Sequence, residues 1–128
     1  PEAARVLALQ GAQLIVYPTA IGSLETESKT EMAAFHDAWQ TIQRSHAIAN
    51  GVFVAAVNRV GVESGTTFWG HSFVAGPFGE ILAEAGEKEE ILHATLDLSE
   101  VETVRKTWPF FRDRRIDTYA PLLKRWTQ

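Results

Sequence analysis

Apolar positions along this chain recur at steps of three or four in some stretches and crowd into short runs in others. Ala3, Val6 and Leu7 share a helical face behind Pro1 and Glu2, which suit a first turn, so residues 1–10 read as a helix that Gly11 stops. Leu14-Ile15-Val16-Tyr17 is too short for a helix and too apolar for a loop, and it predicts a buried strand ended by Pro18. A loop over 18–22 and a polar surface segment over 23–30 follow. Ser28 and Glu31 have capping-box spacing, after which Met32, Phe35, Trp39, Ile42, His46 and Ala49 form a long amphipathic stripe closed by Asn50-Gly51. Residues 52–57, all apolar, predict a second buried strand.

The second half of the chain alternates differently. Aromatic and β-branched content makes 68–74 a strand, Gly76-Pro77-Phe78-Gly79 a turn, and 81–84 the returning strand. Leu92, Ala94 and Leu96 alternate with His93 and Thr95, which predicts a half-exposed strand. Residues 97–106 read as a short helix with Ser99 and Glu102 at capping spacing, ended by Pro109. Residues 110–119 mix aromatics with paired charges and predict a docking tail. The expected fold class is α/β: a mixed sheet in which an antiparallel meander joins βα units, with two long helices on one face and a C-terminal docking tail.

Composition narrows the function. The chain has 128 residues, 45% hydrophobic and 22% charged, which suits one domain with one core, 1–128. A formal charge of −4 argues against nucleic acid, whose affinity rests on Lys and Arg at phosphates. No apolar run of about 18 residues and no charged-then-apolar leader occurs, so no membrane partner and a cytoplasmic location are expected. The absence of cysteine removes disulfides, thiolate zinc sites and a thiol nucleophile from within the chain. The start at Pro1, with the only Met at 32, suggests a beginning inside a longer protein.

Candidate chemistry gathers where strands end. The strand over 52–57 runs into Asn58-Arg59-Val60-Gly61-Val62-Glu63, delivering an amide, a guanidinium and a carboxylate to a sheet end. Glu63 reads either as a solvated loop residue or as a contact for a substrate ammonium. Thr19 and Ala20 are either a simple turn or pocket residues. His46, on the apolar side of its helix, reads as a packing residue. Gly70-His71-Ser72 half-resembles a nucleophile elbow but lacks the second glycine and lies in a strand. The four histidines, 36, 46, 71 and 93, lack the i, i+4 or clustered spacing of linear metal motifs, so neither a metal nor a cofactor is expected.

The order of Pro1-Glu2-Ala3-Ala4-Arg5, Tyr17-Pro18-Thr19-Ala20-Ile21-Gly22, His46-Ala47-Ile48-Ala49-Asn50, Asn58-Arg59-Val60-Gly61, Phe68-Trp69-Gly70-His71-Ser72 and Trp108-Pro109-Phe110-Phe111-Arg112-Asp113-Arg114-Arg115 resembles the C-terminal half of a carbon-nitrogen hydrolase of the nitrilase superfamily, within it the N-carbamoylputrescine amidase branch. The resemblance implies half of an α-β-β-α sandwich and a parent enzyme with a glutamate base, a lysine and a cysteine nucleophile, all three upstream of Pro1. No catalytic residue is therefore assigned within this chain, which should be inactive alone.

What the resemblance leaves here is pocket wall: Thr19 and Ala20 beside the cysteine, Asn58 and Arg59 bracing the floor, Glu63 toward an amine-bearing small-molecule substrate. It also implies a homo-oligomer paired through the 1–10 and 29–50 helices and the tail. Gly76 departs from the family pattern, which commonly has an aspartate before the Pro-x-Gly turn, and it is expected to loosen that hairpin. The competing reading is a non-catalytic α/β assembly domain.

Overall fold

The computed structural model describes residues 1–126. In chain order the elements are α1 (Glu2–Leu9), β1 (Leu14–Thr19), β2 (Gly22–Leu24), α2 (Lys29–Asn50), β3 (Phe53–Asn58), β4 (Val60–Glu63), β5 (Thr66–Trp69), β6 (Phe73–Ala75), β7 (Ile81–Glu84) and α3 (Ser99–Thr107). Two single-turn 3-10 helices, Ile116–Thr118 and Ala120–Leu123, follow. Strands β1, β3, β6 and β7 form a mixed sheet in that order, with β1 and β3 parallel and the other pairs antiparallel. Strands β2, β5 and β4 form a separate antiparallel sheet.

Register explains which side chains meet the helices. Ile15 pairs with Val54, Val54 with Ala75, and Ala56 with Phe73, so these residues line one face. With Ala4, Ala8, Trp39, Ala47 and Val52 they form the core cluster. Phe73 is fully buried, a gain of about 1.5–3 kcal/mol by transfer arguments. The opposite face is bare. Leu14 is 39% exposed, Val16 53% and Val57 52%, because period-2 alternation turns them away from the helices.

Helix α2 begins as expected: the Ser28 hydroxyl accepts from Glu31 N, the Glu31 carboxylate accepts from Ser28 N at 2.8 Å, and Gly51 closes the helix in the left-handed region. Its buried face is rotated from the expected stripe. Trp39, Gln43, Ala47 and Asn50 are buried, while Phe35 and Ile42 are exposed. Likewise α1 buries Ala4 and Ala8 and leaves Val6 and Leu7 out. Small residues face the closest approach, and the larger apolar ones are left on the outer flanks. At eight residues α1 is short, so one helix of the expected two is long.

Other expectations change for local reasons. Pro18 lies inside β1, because β1 is an edge strand of its sheet and tolerates a residue without an N–H. The segment expected as one strand over 68–74 is broken by Gly70 and His71, both at positive φ, into β5 and β6 of different sheets. A Cβ at Gly70 would lie 2.6 Å from the Gly86 carbonyl oxygen, so only glycine fits. Residues 92–96 form no strand, having no ladder to join among the described residues, although Leu92 and Leu96 are half-buried.

Helix α3 is held at its start by Asp97, whose carboxylate accepts from Ser99 N and Oγ, in place of a Ser99 cap. The tail docks through Phe111, whose ring lies under the Arg5 and Arg105 guanidinium groups at 4.9 and 4.8 Å. Arg105 also donates to the carbonyls of Asn50, the last residue of α2, and of Ala12, in the turn that follows α1.

The turn at Gly76 is closed. Gly79 N donates to Gly76 O at 2.8 Å and Gly76 N to Glu80 O at 2.9 Å, while the Glu80 carboxylate accepts from Phe78 N. That carboxylate fills the space a side chain at 76 would need, 2.1 Å from an added Cβ. The loosening expected of this hairpin is absent because Glu80 bonds the turn from the other side.

Candidate active-site wall

The chain passes between its two sheets four times; one passage, from β2 to β3, runs through α2, and the three short ones, from β1 to β2, from β3 to β4 and from β5 to β6, meet at Asn58. Its buried Oδ1 accepts from Thr19 Oγ1 and Ile21 N, both at 2.9 Å. Its Nδ2 donates to the carbonyls of Ile21 and Gly70, both at 3.0 Å. Both acceptor sites and both donors of the amide are therefore filled from within the chain. The backbone N–H of Asn58 donates to Ser72 Oγ at 2.9 Å, and that hydroxyl turns back toward Asn58 O at 3.3 Å. Ser72, the weak candidate nucleophile, is taken up by this knot.

Arg59 and Glu63 lie on one side of the β4–β5 hairpin with Gly61 between them. The Arg59 guanidinium is ion-paired with the Glu63 carboxylate and lies 4.6 Å above the Phe68 ring. Phe68 is the cross-strand partner of Gly61, whose lack of a side chain leaves room for this stacking. The side chains are 48% and 57% exposed, so the pair is a solvent-facing, pre-oriented charge couple. Thr19 is half-buried by its bond to Asn58, and Ala20, next to it, is exposed. The five expected wall residues are thus brought to one end of the sheets. Asn58 organises the loop and has no group free for a ligand; Ala20 and Glu63 face outward.

A cavity of about 360 Å³ opens beside this end, lined by Val57, Asn58, Ser72, Val74, Gly86 and Glu89 among others. On the far side of the crossing, His71 meets His36 and Glu84, which linear spacing did not reveal. The ring centroids of His36 and His71 are 4.7 Å apart. Burial, with the neighbouring His71 second, holds His36 below the ordinary imidazole range. The one available sequence signal was Gly70, a glycine inside a run that otherwise reads as a strand.

With this geometry in place, likeness to known proteins becomes specific. The family described as carbon-nitrogen hydrolase matches residues 1–106. The chain belongs to the carbon-nitrogen hydrolase family. It is 46% identical to the N-carbamoylputrescine amidase of Solanum tuberosum over 96% of its own length and 43% of that protein. It is 40% identical to the citrullinase of Francisella tularensis over 98% of its length and 45% of that protein. The crystal structure of a carbon-nitrogen hydrolase from Helicobacter pylori G27 superposes with a TM-score of 0.97 at 56% identity, over 99% of this chain and 46% of that one. The chain therefore spans less than half the length of these relatives. Among the described residues no helix is long and apolar enough to cross a membrane.

Proposed function

We propose that this chain supplies the scaffold and one substrate wall of an amidase acting on a small N-carbamoyl amine such as N-carbamoylputrescine, as the C-terminal half of an α-β-β-α sandwich. The observation that carries the reading is the meeting of three inter-sheet crossings at Asn58, at the strand ends where open α/β folds gather ligands. Identity to N-carbamoylputrescine amidases over nearly the whole chain supports the substrate class. The bare face of Leu14, Val16 and Val57 suits packing against the other half.

The nucleophile in this proposal is a cysteine outside the chain, which itself contains none. Its thiolate adds to the carbamoyl carbon, the bond to the terminal nitrogen breaks, and that nitrogen leaves with a proton as ammonia. Water then cleaves the S-acyl bond, and the released carbamate falls to carbon dioxide and the amine. The Thr19-Ala20 loop, pinned by Asn58, borders the reacting carbon. Glu63, held by Arg59, takes the ammonium at the far end of the substrate. A thiolate enzyme fits the reducing cytoplasm.

Glu63→Gln tests the wall directly in the protein that carries this chain. KM should rise for N-carbamoylputrescine and stay unchanged for butylurea, which lacks the terminal amine. Equal effects on both substrates would remove Glu63 from the substrate site.

A specific feature also favours assembly. A groove of about 790 Å³ between α1, α2 and the tail is lined by Val6, Leu9, Ile42, Tyr119 and Leu122. Pairing of two copies through the 1–10 and 29–50 helices and the tail would cover it. Sedimentation should find a dimer or larger for the wild type and dissociation for Ile42→Glu; a monomeric wild type would contradict the pairing.

A further inference from the structure

We propose that His36, His71 and Glu84 form a binding site for a divalent transition metal of the zinc class. The three residues come from α2, from the β5–β6 crossing and from the end of β7, and one ligand atom of each lies within 4.8 Å of the others. They approach without hydrogen bonding one another: His71 Nδ1 is 3.8 Å from Glu84 Oε1. His36 Nε2 is buried with no hydrogen-bond partner, which leaves a ring nitrogen of the cluster unsatisfied. His71 sits at φ 53 in the left-handed region, held by its N–H bond to Gly86 O at 3.0 Å, and this step carries its side chain to His36.

Three ligands on one tetrahedral zinc at about 2.0–2.1 Å stand roughly 3.4 Å apart. Closing the set therefore takes a shift of somewhat over an ångström, within the swing of the partly exposed His71 ring and Glu84 side chain. Supporting contacts are already present. Gln40 Nε2 donates to Glu84 Oε1 at 2.9 Å, and Glu87 Oε1 lies 3.9 Å from His71 Nε2, the ring nitrogen opposite the cluster. A carboxylate behind a ligating imidazole fixes its tautomer and orientation. The Trp39 and Trp69 rings, 5.9 and 5.7 Å from His36, give the site an apolar wall.

Two imidazoles and one carboxylate favour zinc, nickel, cobalt or copper over magnesium and calcium. Three protein ligands leave a fourth position for water. Occupancy would tie α2 and β7 to the crossing whose Gly70 and Ser72 bond Asn58, stiffening the wall without taking part in the chemistry.

The test is equilibrium dialysis of Zn²⁺ against the tag-free protein that carries this chain. Wild type should retain one equivalent more than His36→Asn or His71→Asn. Glu84→Gln should weaken that site at least about tenfold, and His93→Asn, outside the cluster, should match wild type. A measurement on wild type alone guards against misfolded variants: Zn²⁺ should protect His71 from carbethoxylation by diethyl pyrocarbonate, and excess Mg²⁺ should not. Equal stoichiometry and affinity across the variants, or an unprotected His71, would overturn the site.

Discussion

The Tyr17 hydroxyl lies 2.9 Å from Nδ1 of His46, and this contact ties the edge strand β1 to the last third of α2. The second ring nitrogen, Nε2, is buried without a partner, so a charged imidazole would have nothing to receive its extra proton. Burial holds His46 below the ordinary imidazole range and raises Tyr17. Because the folded pKa lies below the unfolded value of about 6.5, the unfolded chain takes up the proton first. Stability is complete above that value and declines as pH falls through the folded pKa. Urea midpoints between about pH 7.5 and pH 5 should fall with acidity, and His46→Gln should flatten the decline. Tyr17→Phe should cost about 1 kcal/mol at neutral pH.

Asn58 should be hard to replace, because its buried amide is fully bonded within the chain. Asn58→Ala leaves Ile21 N and the Gly70 carbonyl without partners and should cost about 3 kcal/mol. Asn58→Asp should be worse, since an acceptor would then face the Ile21 and Gly70 carbonyl oxygens. Thr19→Val removes one bond and should cost about 1 kcal/mol. Chemical denaturation of the three variants gives the order directly.

Glu80 and Gly76 compete for one space. Gly76→Asp alone should destabilise by about 1 kcal/mol or more, because the Glu80 carboxylate must leave its bond to Phe78 N. Adding Glu80→Ala should recover most of that loss by letting the new aspartate take over the turn. A double-mutant cycle in thermal unfolding measures the coupling.

Arg105 joins three elements through one guanidinium. Arg105→Lys keeps the charge but cannot reach both the Asn50 and Ala12 carbonyls while stacking on Phe111. The tail beyond Pro109 should be cut faster by trypsin in that variant, with the rest of the chain slower to follow.

Local chemistry was legible where it is self-contained. The Ser28–Glu31 box, the Gly51 stop, the Gly76–Gly79 turn and the strands over 52–57 and 81–84 each depend on neighbours in sequence, and each is present. Which helix face would be buried was not legible, because Phe35, Trp39 and Ile42 span an apolar arc wider than the sheet requires. The crossings hid themselves for another reason. Gly70-His71 reads as strand by composition, and only tertiary contact with Gly86 turns it left-handed, which both splits β5 from β6 and carries His71 to His36. Asn58 was legible as a polar residue at the end of a buried strand; its role as the knot of three crossings needed the partners in space.

If, as proposed, this chain is one wall of an amidase, its nucleophile lies elsewhere. Ammonia release from N-carbamoylputrescine should be measured on residues 1–128 alone and on the protein extended upstream through a cysteine, lysine and glutamate. Release by the extended protein only is the predicted result. Release by the 128-residue chain itself would contradict it and return attention to Ser72.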